Sequence, residues 1–121
     1  MDKTQAYYYL WSRFGIPAYD ETSVPDDAVA PYITYQVVLD SYDDPVIATA
    51  SVWYRGTSWE PIDLKVIEIT GIIGNMKPIA LDDGYMYVNK GTPWAQRMAD
   101  DTDRTVKRYI LNLGVEFLTA T

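Results

Sequence analysis

The segment Lys107–Thr119 places the tightest constraint on what this chain folds into. Tyr109, Leu111, Leu113, Val115 and Phe117 recur at every second position, with Arg108, Asn112, Gly114 and Glu116 between them and Ile110 as the apolar exception on the polar side. That alternation marks a strand that buries one side against a core. At about 3.3 Å per residue the run spans roughly 40 Å, well beyond the usual strand of about five or six residues. A strand this long needs partners along its whole length, so the rest of the chain must supply a sheet.

Asp2 and Gln5 have the spacing of a capping pair, and Tyr7, Leu10, Trp11 and Phe14 follow on one face at helical spacing. Residues 3–14 therefore read as an amphipathic helix stopped by Gly15 and Pro17. Residues 18–30, with Pro25, Asp26 and Asp27, have turn chemistry and no period, and read as a loop. Pro31–Leu39 and Val46–Arg55 are rich in β-branched and aromatic residues and predict an antiparallel hairpin with its tip at residues 40–45. Ser58 is placed to cap a second helix, with Pro61 tolerated in its first turn and Gly74-Asn75 at its end. Ile62, Val66, Ile69 and Ile73 form its core stripe, whereas Leu64 and Ile67 fall off that stripe and predict a second contact side.

Ile79–Leu81 and Tyr85–Asn89 flank Asp82-Asp83-Gly84 as a second hairpin, and residues 91–105 read as a loop with room for a short helical turn. The expectation is a single α+β domain over residues 1–121, a mainly antiparallel sheet of about five strands covered by two helices. A chain of 121 residues buries about two-thirds of its unfolded surface and needs no staples to fold.

The chain contains neither cysteine nor histidine. Disulfides, thiolate nucleophiles, cysteine-based zinc sites and the usual general base are thereby excluded, which points to assembly over catalysis. No run approaches the roughly twenty apolar residues of a membrane helix, and no basic region followed by an apolar stretch opens the chain, so a soluble, unexported product is expected. A net charge of −7 argues against non-specific binding of nucleic acid. Residues 1–60 carry nine acids and three bases, and residues 61–121 eight acids and seven bases, a division that favours head-to-tail docking of copies.

Asp100, Asp101 and Asp103 form the densest carboxylate cluster and offer oxygen ligands to a hard cation. The spaced glycine and distal glutamate of a calcium loop are missing, so a solvated acidic turn is the better reading and no metal or cofactor is expected. Gly71, Gly74 and Gly84 make no nucleotide fingerprint. Arg97, Arg104, Lys107 and Arg108 read either as a basic strip facing a partner or as ordinary charges in local ion pairs.

Phe14-Gly15-Ile16-Pro17-Ala18-Tyr19, Val24-Pro25, Pro31-Tyr32-Ile33-Thr34-Tyr35, Val52-Trp53-Tyr54, Gly84-Tyr85-Met86-Tyr87-Val88, Lys90-Gly91-Thr92-Pro93-Trp94-Ala95-Gln96-Arg97-Met98 and Lys107-Arg108-Tyr109-Ile110-Leu111-Asn112-Leu113 together give a chain that resembles the tail terminator and tail completion proteins of long-tailed bacteriophages. The resemblance runs through nearly the whole chain as a general pattern and contains no catalytic motif. It implies a tail-terminator-like α+β subunit, made in the host cytoplasm and resident in the virion neck, that forms a hexameric ring on the head-proximal end of the tail tube. Such a ring stops tube polymerisation, meets the tail tube protein below and the head connector protein above, and lets DNA pass through its lumen without specific binding. No enzymatic activity is expected of it.

For the interface with a neighbouring copy or the tube, Trp94, Arg97, Arg104 and Arg108 are the expected contacts, with Leu64 and Ile67. A head-completion or connector ring protein of the same virion makes nearly the same demands on sequence. A small metal-dependent hydrolase on Asp100, Asp101 and Asp103 is the alternative of a different class.

Overall fold

The N-terminal helix α1 (Lys3–Trp11) begins where the sequence places it, because Asp2 and Gln5 close a reciprocal cap. The Asp2 carboxylate accepts the Gln5 backbone N–H at 2.8 Å, and the Gln5 side-chain oxygen accepts the Asp2 N–H at 2.9 Å. A 3-10 turn over Ser12–Phe14 extends it to Gly15, whose φ of 78° lies in the left-handed region that glycine enters without strain. In this computed structural model, residues 1–39 and 45–119 are described. The expected hairpin tip at residues 40–45 thus lies almost wholly outside the described residues.

Six strands form one mixed sheet in the order β1-β2-β3-β6-β5-β4. They are β1 (Ala18–Asp20), β2 (Tyr32–Tyr35), β3 (Val46–Arg55), β4 (Ile79–Leu81), β5 (Gly84–Ala99) and β6 (Val106–Thr119), and α2 (Glu60–Gly74) joins β3 to β4. β6, the long strand read first from the sequence, is central and pairs antiparallel with β3 on one side and β5 on the other. The partners it requires are therefore long strands too.

Three expectations need correction. Residues 18–20 are not loop: they form β1, which runs parallel to β2, so the sheet has six strands where about five are expected and is mixed, with this one parallel pair beside four antiparallel ones. Three residues are too few to show a period.

The second correction concerns β2, which ends at Tyr35 and does not reach Leu39. Gln36 explains the stop, because its side-chain oxygen takes the Thr49 N–H at 3.1 Å in place of a main-chain carbonyl. The chain then turns to α1, where the Tyr7 hydroxyl donates to the Val38 carbonyl at 2.7 Å.

Residues 91–99 supply the third. They continue β5 as strand up to Ala99, and the loop is confined to residues 100–105. A register shift between Lys90 and Ala95 sets Gly91-Thr92-Pro93-Trp94 against Asn112 alone, which absorbs Pro93 without ending the strand.

At the start of α2, Ser58 still serves the helix, but from one residue further out than expected. Its hydroxyl accepts the Glu60 N–H at 3.1 Å while Trp59 occupies the boundary position. Ile62, Val66, Ile69 and Ile73 are buried as the stripe predicts.

Both helices cover the same side of the sheet. Tyr7, Leu10, Trp11 and Phe14 of the N-terminal segment and the α2 stripe meet Ala48, Ala50 and Val52 of β3, Leu111, Leu113 and Val115 of β6 and Met86 of β5 in one core. α1 packs on β1 and β2 at one edge and on β4 at the other, so the sheet curls around it. The opposite side of the sheet carries no helix among the described residues.

Candidate assembly surface

The expected interface residues separate into three places. Trp94, Arg97, Leu64 and Ile67 lie on the helix-covered side, Arg108 on the helix-free side, and Arg104 in the loop before β6. The four clustered bases do not form one strip, because Arg97 pairs in register with Tyr109 and so shares its side, while Arg108 alternates to the other.

Arg97 is held within its own chain. Its guanidinium donates to the Asp63 carboxylate at 2.7 Å and to the Tyr109 hydroxyl at 3.0 Å, and it sits 4.7 Å from the centre of the Trp59 ring. Tyr109 in turn donates to the other Asp63 oxygen at 2.7 Å, and its ring meets Trp59 edge-on at 6.0 Å. The hydrogen bond to Tyr109 comes first among the contacts that push Arg97 above its usual range, and burial raises the Tyr109 phenol. This cluster clamps the first turn of α2 to β5 and β6. The alternation of β6 places Tyr109 on the core face, and nothing local marks Asp63 or Trp59 as part of the site. Their convergence depends on how α2 crosses the sheet, which no local pattern encodes.

Trp94 is half-buried and donates its indole N–H to the Thr70 hydroxyl at 2.8 Å, so it pins α2 to β5. Arg108 donates to the Ser51 hydroxyl at 3.0 and 3.1 Å and stacks 4.5 Å from the centre of Trp53. Trp53 meets Tyr32 at a tilt and Tyr32 meets Tyr19 edge-on, with ring centres 6.4 and 5.8 Å apart. A ladder of rings and one guanidinium thus crosses β1, β2, β3 and β6 on the helix-free side. Arg104 is exposed, and its side chain has no hydrogen-bond or ion-pair partner among the described residues.

Leu64 and Ile67 remain without cover. They are 59% and 66% exposed on the outer side of α2, one turn apart, and exposed Gly71 continues their line. A side chain at Gly71 would meet nothing within 4 Å, so this part of the helix is low and open. Beside α2, β5 is paired on both edges only over Gly84–Met86, where β4 joins it. From Tyr87 to Ala99 no strand among the described residues pairs with its outer edge. An unpaired edge of this length is a template for another chain, blunted in its middle by Pro93 and the register shift.

The acidic turn has an internal task. Asp100 accepts from the Thr102 hydroxyl at 2.7 Å and from the N–H groups of Thr102 and Asp103, and Asp103 accepts from the Thr105 hydroxyl at 2.6 Å and from Arg55 at 3.0 Å. These bonds, the threonine hydroxyls foremost, hold both carboxyls below the usual aspartate range. Among the described residues no group of three or more acidic side chains is arranged to hold a metal ion. Comparisons with protein-family models, with curated proteins and with solved structures found no match.

Proposed function

We propose that this chain is a structural subunit of a long-tailed phage virion, with a tail-terminator-like fold, that assembles as a ring on the head-proximal end of the tail tube. There it stops tube polymerisation and presents the surface to which the head connector joins. The observation that carries the reading is the pairing of two uncovered features on neighbouring elements: the apolar line of Leu64 and Ile67 on α2, and the free outer edge of β5 from Tyr87 to Ala99. A sheet edge gives backbone hydrogen bonds to an incoming chain, and an adjacent apolar ridge gives area to bury. The resemblance along the sequence supplies the biological setting, and the net charge of −7 suits a lumen through which DNA slides without adhering.

Negative-stain imaging of the purified chain, alone and mixed with its cognate tube protein, tests this reading. Hollow rings of tube diameter, or tubes capped at one end, are expected. Binding to purified connector but not to tube protein would assign the chain to a head-completion ring instead. A thermal shift with magnesium, calcium or manganese would favour a metal site at Asp100, Asp101 and Asp103.

A further inference from the structure

We infer that the acidic loop between β1 and β2 of one copy seats in the basic groove beside β4 of a second copy; this rests on the ring reading above and adds a contact between its subunits to the α2 ridge and β5 edge. The groove, of about 540 Å³, lies where the end of α1, the end of α2 and β4 meet. Arg13 and Lys77 line it with Tyr9, Ile72 and Met76, and no acidic side chain does. Arg13 stacks 4.6 Å from the centre of Tyr9, and neither it nor Lys77 has a carboxylate partner among the described residues. The Lys90 ammonium also lies at the end of α2, 3.5 Å from where a Cβ on Gly74 would stand, though outside the groove lining.

The charge that complements this groove is concentrated in one stretch. Residues 14–54 hold seven of the seventeen acidic residues and none of the ten basic ones, which accounts for the whole net charge of −7. Within it, Glu21, Asp26 and Asp27 are exposed, and their carboxylates have no partner among the described residues. Val29, 80% exposed, gives the loop an apolar contact to set on Tyr9 and Ile72, which are 49% and 37% exposed.

The loop is partly pre-shaped. Asp20 accepts from the N–H and hydroxyl of Thr22 at 2.9 and 2.8 Å, and the Ala28 N–H reaches the Pro25 carbonyl at 3.1 Å. Docking therefore orders fewer residues than an open chain would require. Loop and groove belong to opposite edges of the sheet, β1 and β4, so the contact is head-to-tail and propagates from copy to copy, closing where the rotation allows.

Two reversed chains test the pairing, R13E/K77E and D26K/D27K. Self-association of the wild-type chain, alone and on preformed tubes, is read by sedimentation and imaging in low and high salt. Each reversed chain alone should associate roughly a hundredfold more weakly, because like charges then face each other. Their mixture should recover wild-type association, because an acidic loop again meets a basic groove and a basic loop an acidic one. If a reversed chain does not fold, the neutral pair R13Q/K77Q and D26N/D27N, each checked by thermal unfolding, replaces it: each alone should associate more weakly than wild type, and their mixture, which restores one of every two charge-paired contacts, should lie between. Wild-type association that the reversals leave unchanged would overturn this inference and leave the ring reading intact. Weakened association without recovery on mixing would overturn the pairing of these two surfaces. A wild-type chain that stays monomeric in solution and on tubes would overturn both.

Discussion

Replacing Leu64 and Ile67 together by glutamine separates a role in assembly from a role in folding. Both side chains stand on the outer side of α2, 59% and 66% exposed. Removing them from a free monomer should change stability by no more than about 0.5 kcal/mol, as for other surface substitutions. Glutamine is also as good a helix former as the residues it replaces, so α2 is not weakened.

In an assembled ring the cost is different. Full burial of a leucine or isoleucine side chain is worth about 2 kcal/mol, and roughly three-fifths of each remains to be gained on docking. The pair then contributes about 2.5 kcal/mol per interface, equivalent to roughly a 70-fold change in dissociation constant. Circular dichroism melting should show an unchanged midpoint, while sedimentation shows the weakened assembly. Unchanged association would refute the assignment of this ridge to an interface, and a collapsed melting midpoint would show that the ridge serves the monomer.

Three further outcomes follow from the geometry. Tyr7 is fully buried, and burial pushes its phenol up to about 12, so the folded state resists ionisation that the unfolded state undergoes near pH 10. Its contribution is intact below pH 10 and falls by roughly 2 kcal/mol as pH rises to about 12; Tyr7→Phe should cost about 1 kcal/mol at neutral pH, through the lost bond to Val38, and lose this alkaline slope in denaturant titrations. An alkaline slope unaltered in the phenylalanine variant would contradict it. Arg97→Ala and Asp63→Ala should show non-additive losses in a double-mutant cycle, with the coupling smaller in molar salt, and strictly additive losses would remove the clamp on α2. Gly84→Ala should cost about 2–3 kcal/mol, since its Cβ would stand 1.9 Å from the Leu118 carbonyl oxygen, and a loss below about 0.5 kcal/mol would mean that the two strands part freely there.

The sequence made the core legible and the edges illegible, for physical reasons. β6 was readable because one of its sides packs on the core, so burial imposed a period of two on Tyr109 to Phe117. The α2 stripe and the α1 cap were readable because their signals are local. Ala95 to Ala99 in β5 were not, since they contribute little to the core and little constrains them to alternate. Gly91, Thr92 and Pro93 imitate a loop, and the register shift that accommodates them is visible only beside β6. β1 is a strand because β2 lies next to it.

The expected interface residues divide in the same way. Exposure of Leu64 and Ile67 follows from their angle on the helix, which sequence gives. The partners of Arg97 and Arg108 depend on which side of a paired strand each occupies and on how α2 crosses it. The most pertinent signal available was the alternation in β6, which already sets Arg108 apart from Tyr109.

The central claim is that this chain acts by docking and ends the growth of a polymer. Polymerising the cognate tail-tube protein in the presence of increasing amounts of the chain, and measuring tube lengths by electron microscopy, tests it most directly. Tubes that shorten as the ratio rises, each bearing a ring at one end, are the expected result. Tube lengths independent of the chain, with bare ends at every ratio, would contradict the account.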